Sequence, residues 1–176
     1  MATIVNIREK LTRTARAQQA RYAGAEERPL RGYAITMATY ASLVGGLATA
    51  ARVSGRDVPE RLPAQDVALC AAATHKLSRL LAKDPVTSPL RAPFTSYQGT
   101  AGPAELSEEV RGDGGQKAVG ELLTCPFCVS VWVATGLVAG QIFLPRTTRL
   151  AMATLAALAG ADMLQFVHAW LEKVSS

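Results

Sequence analysis

The chain of 176 residues is predicted to be all-α: an integral membrane bundle of four transmembrane helices, with a basic N-terminal tail and a polar cytoplasmic loop. Three observations predict this. Leu122 to Leu144 holds 23 consecutive residues without a charged side chain, where a spanning helix needs about 20. Gly32 to Ala51 adds a second uncharged run of 20 residues. Finally, the apolar residues, 49% of the chain, gather in blocks rich in Ala, Leu, Val and Gly, with the charges between them. That segregation explains a mean hydropathy of only +0.14. Small residues let helices approach closely where lipid removes the hydrophobic drive for association. Alternation of the strand type is absent from these blocks, and aromatic residues make up only 6%.

Residues 1–31 read as a basic cytoplasmic tail carrying Arg8, Lys10, Arg13, Arg16, Arg21, Arg28 and Arg31 against Glu9, Glu26 and Glu27. Seven basic residues before the first apolar block, with no short apolar core leading to a cleavage site, argue against a signal peptide. Ile4, Ile7, Leu11 and Ala15 lie at helical spacing, so the tail is expected to form an amphipathic helix. The membrane domain is expected over residues 32–171, with spans at about 32–51, 64–81, 122–144 and 150–171. A cytoplasmic loop over 82–121 and a C-terminal tail over 172–176 complete the division.

Basic residues near span ends are retained in the cytoplasm. With both termini inside, the cytoplasmic segments carry 14 Lys and Arg; the outer loops carry five, Arg52, Arg56, Arg61, Arg146 and Arg149. The second segment is the most polar, because VALCAAAT gives way to His75, Lys76 and Arg79. Were it re-entrant, three spans would remain and everything after it would change sides. The net charge of +5 comes with no nucleic-acid recognition motif, so nucleic acid is not expected as a partner. Basic flanks instead set orientation and touch anionic lipid.

Asp162, inside LAALAGADMLQFV, is the residue most expensive to place in lipid, at about 2.5–3.5 kcal/mol on insertion scales. From Arg149 it lies about 20 Å along a helix, and Lys76 lies about 18 Å from Ala64 in a span of the same direction. Asp162 is therefore expected to pair with Lys76, or to accept a hydrogen bond from His75. A register-locking ion pair is the simpler reading; a proton relay through Asp162, His75 and Asp66 is the other.

Lys76, Arg79 and Lys83 share one helical stripe. The segment after them, with Pro85, Pro89, Pro93 and Pro103, cannot continue as a helix. Arg91 with Thr87, Ser88 and Thr95 suits phosphate oxygens, and Phe94 suits insertion at the interface. Lys76, Arg79, Lys83, Arg91 and Phe94 are thus expected to contact lipid headgroups or a partner; an ordinary snorkelling boundary is the alternative. Ala104 to Gly115, acidic and glycine-rich, reads as a mobile surface segment.

Cys125-Pro126-Phe127-Cys128 opens the longest apolar run. Thr124 is the expected N-cap, with both sulfurs in the first helical turn and Pro126 where a missing N–H is no loss. Thiol oxidoreductases use this local geometry, though no βαβ pattern accompanies it. A metal such as zinc needs about four ligands; Cys125 and Cys128, with His75 as a third or with a second copy of the chain, would be the donors. Simple packing is the third reading, and no cofactor is the leading expectation. Cys70 reads as a small buried residue and Trp132 as part of the bundle.

Two blocks, HKLSRLLAKDPVTSPLRAPF from His75 to Phe94 and TCPFCVSVW from Thr124 to Trp132, resemble a small bacterial membrane-protein family of unknown function, some of whose members carry a sporulation-protein label. The likeness runs from about Ala64 to Leu171, through the KxxRxxxKDxVTxPxRAPF and CPFCxxxW patterns. It implies a multi-pass protein of a bacterial cytoplasmic membrane with no established activity. It also implies that Lys76, Arg79, Lys83, Asp84, Arg91, Phe94, Cys125, Cys128 and Trp132 belong to one cytoplasm-facing feature.

The expected function is that of a non-enzymatic component binding membrane lipids, anionic ones included, or a protein partner or second copy through its basic face. A thiol redox or metal-binding protein centred on Cys125 and Cys128 is the alternative. No nucleotide loop, hydrolase elbow or HExxH motif is present.

Overall fold

The computed structural model describes residues 2–23, 28–56 and 58–175, and their side chains other than those of residues 2–8, 11 and 23. Glu26 and Glu27 of the basic tail lie outside the described residues, as do the side chains of Ile4, Ile7 and Leu11. The first element, α1 (Ala2–Ala23), is a helix. It is followed by α2 (Leu30–Val53) and α3 (Ala64–Lys83). Next come a 3₁₀ turn (Pro85–Thr87) and the short α4 (Ser88–Arg91). A β-hairpin of β1 (Thr95–Gly102) and β2 (Glu105–Val110) leads to α5 (Gly114–Thr124), α6 (Pro126–Phe143) and α7 (Pro145–Ser175).

Prolines punctuate the chain in a physically direct way. α2 and α3 start immediately after Pro29 and Pro63. α6 and α7 start on Pro126 and Pro145, where the missing N–H would have been unpaired anyway. A residue before proline is driven out of the helical region. Cys125 is accordingly extended (φ −101°, ψ 106°), and the 23-residue run expected as one helix is divided there. α6 proper has 18 residues, about 27 Å.

The all-α expectation requires a correction, because the loop contains an antiparallel two-stranded sheet. Its register runs from Thr95 opposite Val110 to Gly102 opposite Glu105, with irregularities after Tyr97 and Thr100. Ala104 closes the turn with a φ of 58°. Ala104 to Gly115 is therefore a turn, a strand and the start of a helix rather than a mobile segment. The strands TSYQGTAG and ELSEEV lack apolar alternation because neither face enters a large core; Thr95 and the side chain of Glu108 are buried, and both are polar.

The core lies between α3, α6 and α7. Cys70 and Ala73 meet Val129, Val133 and Leu137 from α6 and Met152 from α7, with Leu69, Leu77, Leu81, Val138 and Leu155 packed around them. α2 packs on α5 and α6. The Tyr40 and Trp132 rings meet edge to face with centroids 5.2 Å apart, and Tyr40 Oη lies 2.8 Å from Thr135 Oγ1.

Contacts also give the helix directions. Tyr33 meets Glu121, shortly before α6, and Tyr40 meets Thr135 within it, so α2 runs in the direction of α6. Asp66 meets Arg149 and Lys76 meets Asp162, so α3 runs parallel to α7. Leu144 alone separates α6 from α7, and Gln141 Nε2 reaches Met152 Sδ at 3.3 Å, which makes that pair antiparallel.

Among the described residues, three helices are long and apolar enough to cross a membrane: Leu30–Val53, Pro126–Phe143 and Pro145–Ser175. Little of any of them is buried inside the protein. Ile35, Met37, Leu164, Phe166 and Trp170 are among the large apolar side chains left outside. α3, the second of the four expected spans, is not among the three.

Candidate functional site

The segment after α3 is organised around Arg91, whose side chain is completely buried. Its Nη1 donates to Leu81 O and to Thr87 Oγ1, both at 2.8 Å, and Nη2 donates to Asp84 O at 3.0 Å. Nε pairs with Glu108 of β2, itself almost fully buried. The guanidinium thus caps the carbonyls at the C-terminus of α3, where a cation is favoured, and ties the helix to the hairpin. Asp84 Oδ1 accepts from Val86 N at 2.8 Å and starts the 3₁₀ turn; Thr87 Oγ1 donates to Leu80 O at 2.5 Å.

The expectation that Arg91 contacts lipid headgroups or a partner is therefore corrected. Arg91 has spent its donors on the protein, because a buried charge must be paired and hydrogen-bonded. Phe94 is half-buried between the hairpin and α5: its carbonyl accepts from Arg111 N at 2.9 Å, and its backbone approaches Gly120. A Cβ on Gly120 would stand 2.6 Å from Val110 Cγ1 and 3.1 Å from Phe94 O, so this contact needs glycine.

The rest of the basic stripe is distributed among acids. Lys76 Nζ lies 2.5 Å from Asp162 Oδ2, and Arg79 pairs with Glu105 of β2. Lys83 is half-buried and has no side-chain partner among the described residues. His75 is exposed and does not join the pair formed by its neighbour. A second α3–α7 pair sits at the opposite end, where buried Asp66 accepts from Arg149 Nη2 at 2.6 Å. The acid is on α3 in one pair and on α7 in the other. Asp66 is thus engaged by arginine, about 15 Å along the helix from Lys76.

Glu105, Glu108 and Arg149 were not singled out in the sequence. The acidic stretch opposite a basic stripe was the available signal, but only a strand places Glu105 and Glu108 where Arg79 and Arg91 need them.

The cysteine pair occupies the helix break. Cys125, not Thr124, is the N-cap of α6: its Sγ accepts from Cys128 N at 3.3 Å, and its carbonyl accepts from Cys128 and Val129 N at 3.0 Å. Thr124 belongs to α5, with Oγ1 donating back to Gly120 O at 2.9 Å. Both thiols are free, with Sγ atoms 2.7 Å apart. Cys128 is exposed, Cys125 is half-buried, and Phe127 between them is 86% exposed. Among the described residues no group of three or more His, Cys, Asp or Glu is arranged to hold a metal, so His75 is not a third ligand to this pair. Cys70 is buried in the core.

A family model for proteins of unknown function (DUF1360) matches residues 69–168. The chain belongs to this family. The matched stretch opens in α3 and closes in α7, taking in the Arg91 hub, the hairpin and the cysteine pair, and leaving out α1 and α2. The chain is also 30% identical over 111 residues to the sporulation protein YjcA of Bacillus subtilis (strain 168), covering 61% of this chain and 94% of that protein. No solved structure matches the chain.

Proposed function

We propose that this chain is a multi-pass protein of a bacterial cytoplasmic membrane, with α2, α3, α6 and α7 as its four spans, that exchanges electrons with a disulfide-bearing partner protein through Cys125 and Cys128. The observation that carries the proposal is the thiol geometry: two free sulfurs 2.7 Å apart at the exposed start of α6. Cys125 Sγ accepts from both Cys128 N and Cys128 Sγ, which holds the two sulfurs together, and the neighbouring Phe127 offers an apolar contact for a partner.

α3 qualifies as the fourth span through pairing rather than composition, since Asp66 and Lys76 both meet opposite charges on α7. The alternating helix directions and the excess of basic residues toward the termini support placing both termini and the cysteine pair on the cytoplasmic side. In that reducing compartment the pair rests as a dithiol. Exposed Cys128 gives up its Sγ proton and attacks one sulfur of the partner's disulfide, expelling the other, which takes up that proton. Cys125 then attacks Cys128 Sγ, closing the Cys125–Cys128 disulfide and releasing the second partner thiol. Two thiols are oxidised, one disulfide is reduced, and the two protons pass to the partner's sulfurs.

The test is alkylation of the membrane-embedded protein after equilibration in glutathione redox buffers. Both cysteines are expected to lose alkylation together as the buffer becomes oxidising, and Cys125→Ser is expected to trap a mixed disulfide with a protein partner. Two thiols that alkylate fully in every buffer would overturn the redox reading.

A second reading, binding lipid or a partner without chemistry through the basic face, draws on Val86 and Leu90. These lie on the outer side of the segment after Lys83 and are 87% and 59% exposed. Flotation with anionic vesicles that is lost in a Val86→Ser, Leu90→Ser variant while thiol behaviour is unchanged would favour it.

A further inference from the structure

At the end of the bundle opposite the cysteine pair, the loop after α2 and the turn between α6 and α7 enclose a cavity of about 600 Å³. That is within the range of sites that hold small organic ligands, about 300–1,000 Å³. Three arginines, Arg56, Arg146 and Arg149, line it. The carboxylate among the lining residues, Asp66, is buried and already engaged by Arg149. Arg56 and Arg146 have no side-chain partner among the described residues, so the described lining residues carry an excess of positive charge.

The remaining walls are apolar: Val58 and Leu62 from the loop, Val138 and Ile142 from α6. Both α3 and α7 begin here, so their N-terminal dipole ends add to the field of the guanidiniums. Pro63, the N-cap of α3, provides no capping side chain. Because α6 and α7 are long and apolar enough to span a membrane, the turn joining them marks a membrane boundary.

We infer that this cavity binds an anionic phospholipid, with the phosphate between Arg56 and Arg146 and the start of an acyl chain against Val138 and Ile142. Guanidinium groups bind phosphate oxygens in bidentate fashion. A head of that charge relieves the repulsion between Arg56 and Arg146, and the apolar wall demands a tail, which separates this ligand from a free anion. The site is distinct from the basic face of α3 and α4, where Lys76, Arg79 and Arg91 are neutralised by Asp162, Glu105 and Glu108. It is also independent of the thiol reading.

The experiment uses the full chain purified in detergent, probed separately with phosphatidylglycerol, phosphatidylcholine and inorganic phosphate. Readouts are retained lipid by native mass spectrometry and the midpoint of thermal unfolding. One phosphatidylglycerol is expected to be retained per chain, with a saturable rise in midpoint; neither phosphatidylcholine nor phosphate should reproduce it. An Arg56→Ala, Arg146→Ala variant is expected to weaken apparent affinity at least tenfold. Ile142→Trp, which keeps every charge but fills the apolar wall, should weaken it comparably. Equal retention by wild type and both variants would overturn the site. Equal retention of phosphatidylcholine would overturn the role of charge, and full stabilisation by phosphate alone would overturn the requirement for a chain.

Discussion

Arg91 acts as a helix cap and as half of a buried ion pair at the same time. Removing it would orphan Glu108 and the carbonyls of Leu81 and Asp84 together. Arg91→Ala is expected to destabilise the protein by about 3–5 kcal/mol, the range for breaking a buried pair, read as a large fall in the thermal midpoint in detergent. Arg91→Lys should recover little, because one ammonium cannot reproduce the planar fork that meets Glu108, Thr87 and two carbonyls. Cys125 invites a second comparison. Its sulfur caps α6, so Cys125→Ser should preserve the thermal midpoint, whereas Cys125→Ala should lower stability by about 1 kcal/mol, as loss of an N-cap does. Sequence alone marked Arg91 and the two cysteines as important residues but assigned Arg91 the wrong surroundings. A basic residue near a span end reads the same whether it meets lipid phosphate or a carboxylate delivered by a distant strand.

α3 begins at Ala64, as expected, but α6 and α7 begin on Pro126 and Pro145 rather than near residues 122 and 150, because steric hindrance at proline sets a helix start within two residues while an uncharged run marks only the length of an apolar segment. The hairpin was not legible. Its strands are held by backbone pairing and by Glu105 and Glu108 reaching α3, and neither leaves a periodic apolar signature. The contact between α2 and α5 is of the same kind: a Cβ on Gly32 would come 2.7 Å from Ala118 Cβ and 2.9 Å from the Gly114 carbonyl. Gly32→Ala should therefore force the helices apart and cost about 1–3 kcal/mol, the usual range for overpacking. Gly45→Ala on the same helix, where a Cβ meets nothing within 4 Å, should leave the midpoint unchanged or slightly raised. The two midpoints measured side by side check the close approach.

For the molecule as a whole, α3 and α7 are joined by two ion pairs of opposite polarity, Asp66–Arg149 and Lys76–Asp162. Reversed polarity lets each pair form only in the parallel, in-register arrangement; a slide or an antiparallel docking would set like charges together. Asp162→Lys should consequently reduce the yield of folded protein sharply, Asp162→Asn should be tolerated, and Lys76→Asp combined with Asp162→Lys should restore folding. Monodispersity on size exclusion in detergent reads all three. Failure of the exchange to restore the Asp162→Lys variant would remove the register argument.

The sequence by itself determined the helical, membrane-associated class and the presence of paired thiols, because composition and spacing act over a few residues. Only the tertiary structure decided which charges meet. It buried Arg91 against a strand, drew Asp66 to Arg149, and gathered Arg56 and Arg146 from separate turns around one cavity. Such pairings join residues as far apart as 83 and 86 positions along the chain, a range over which local pattern carries no information.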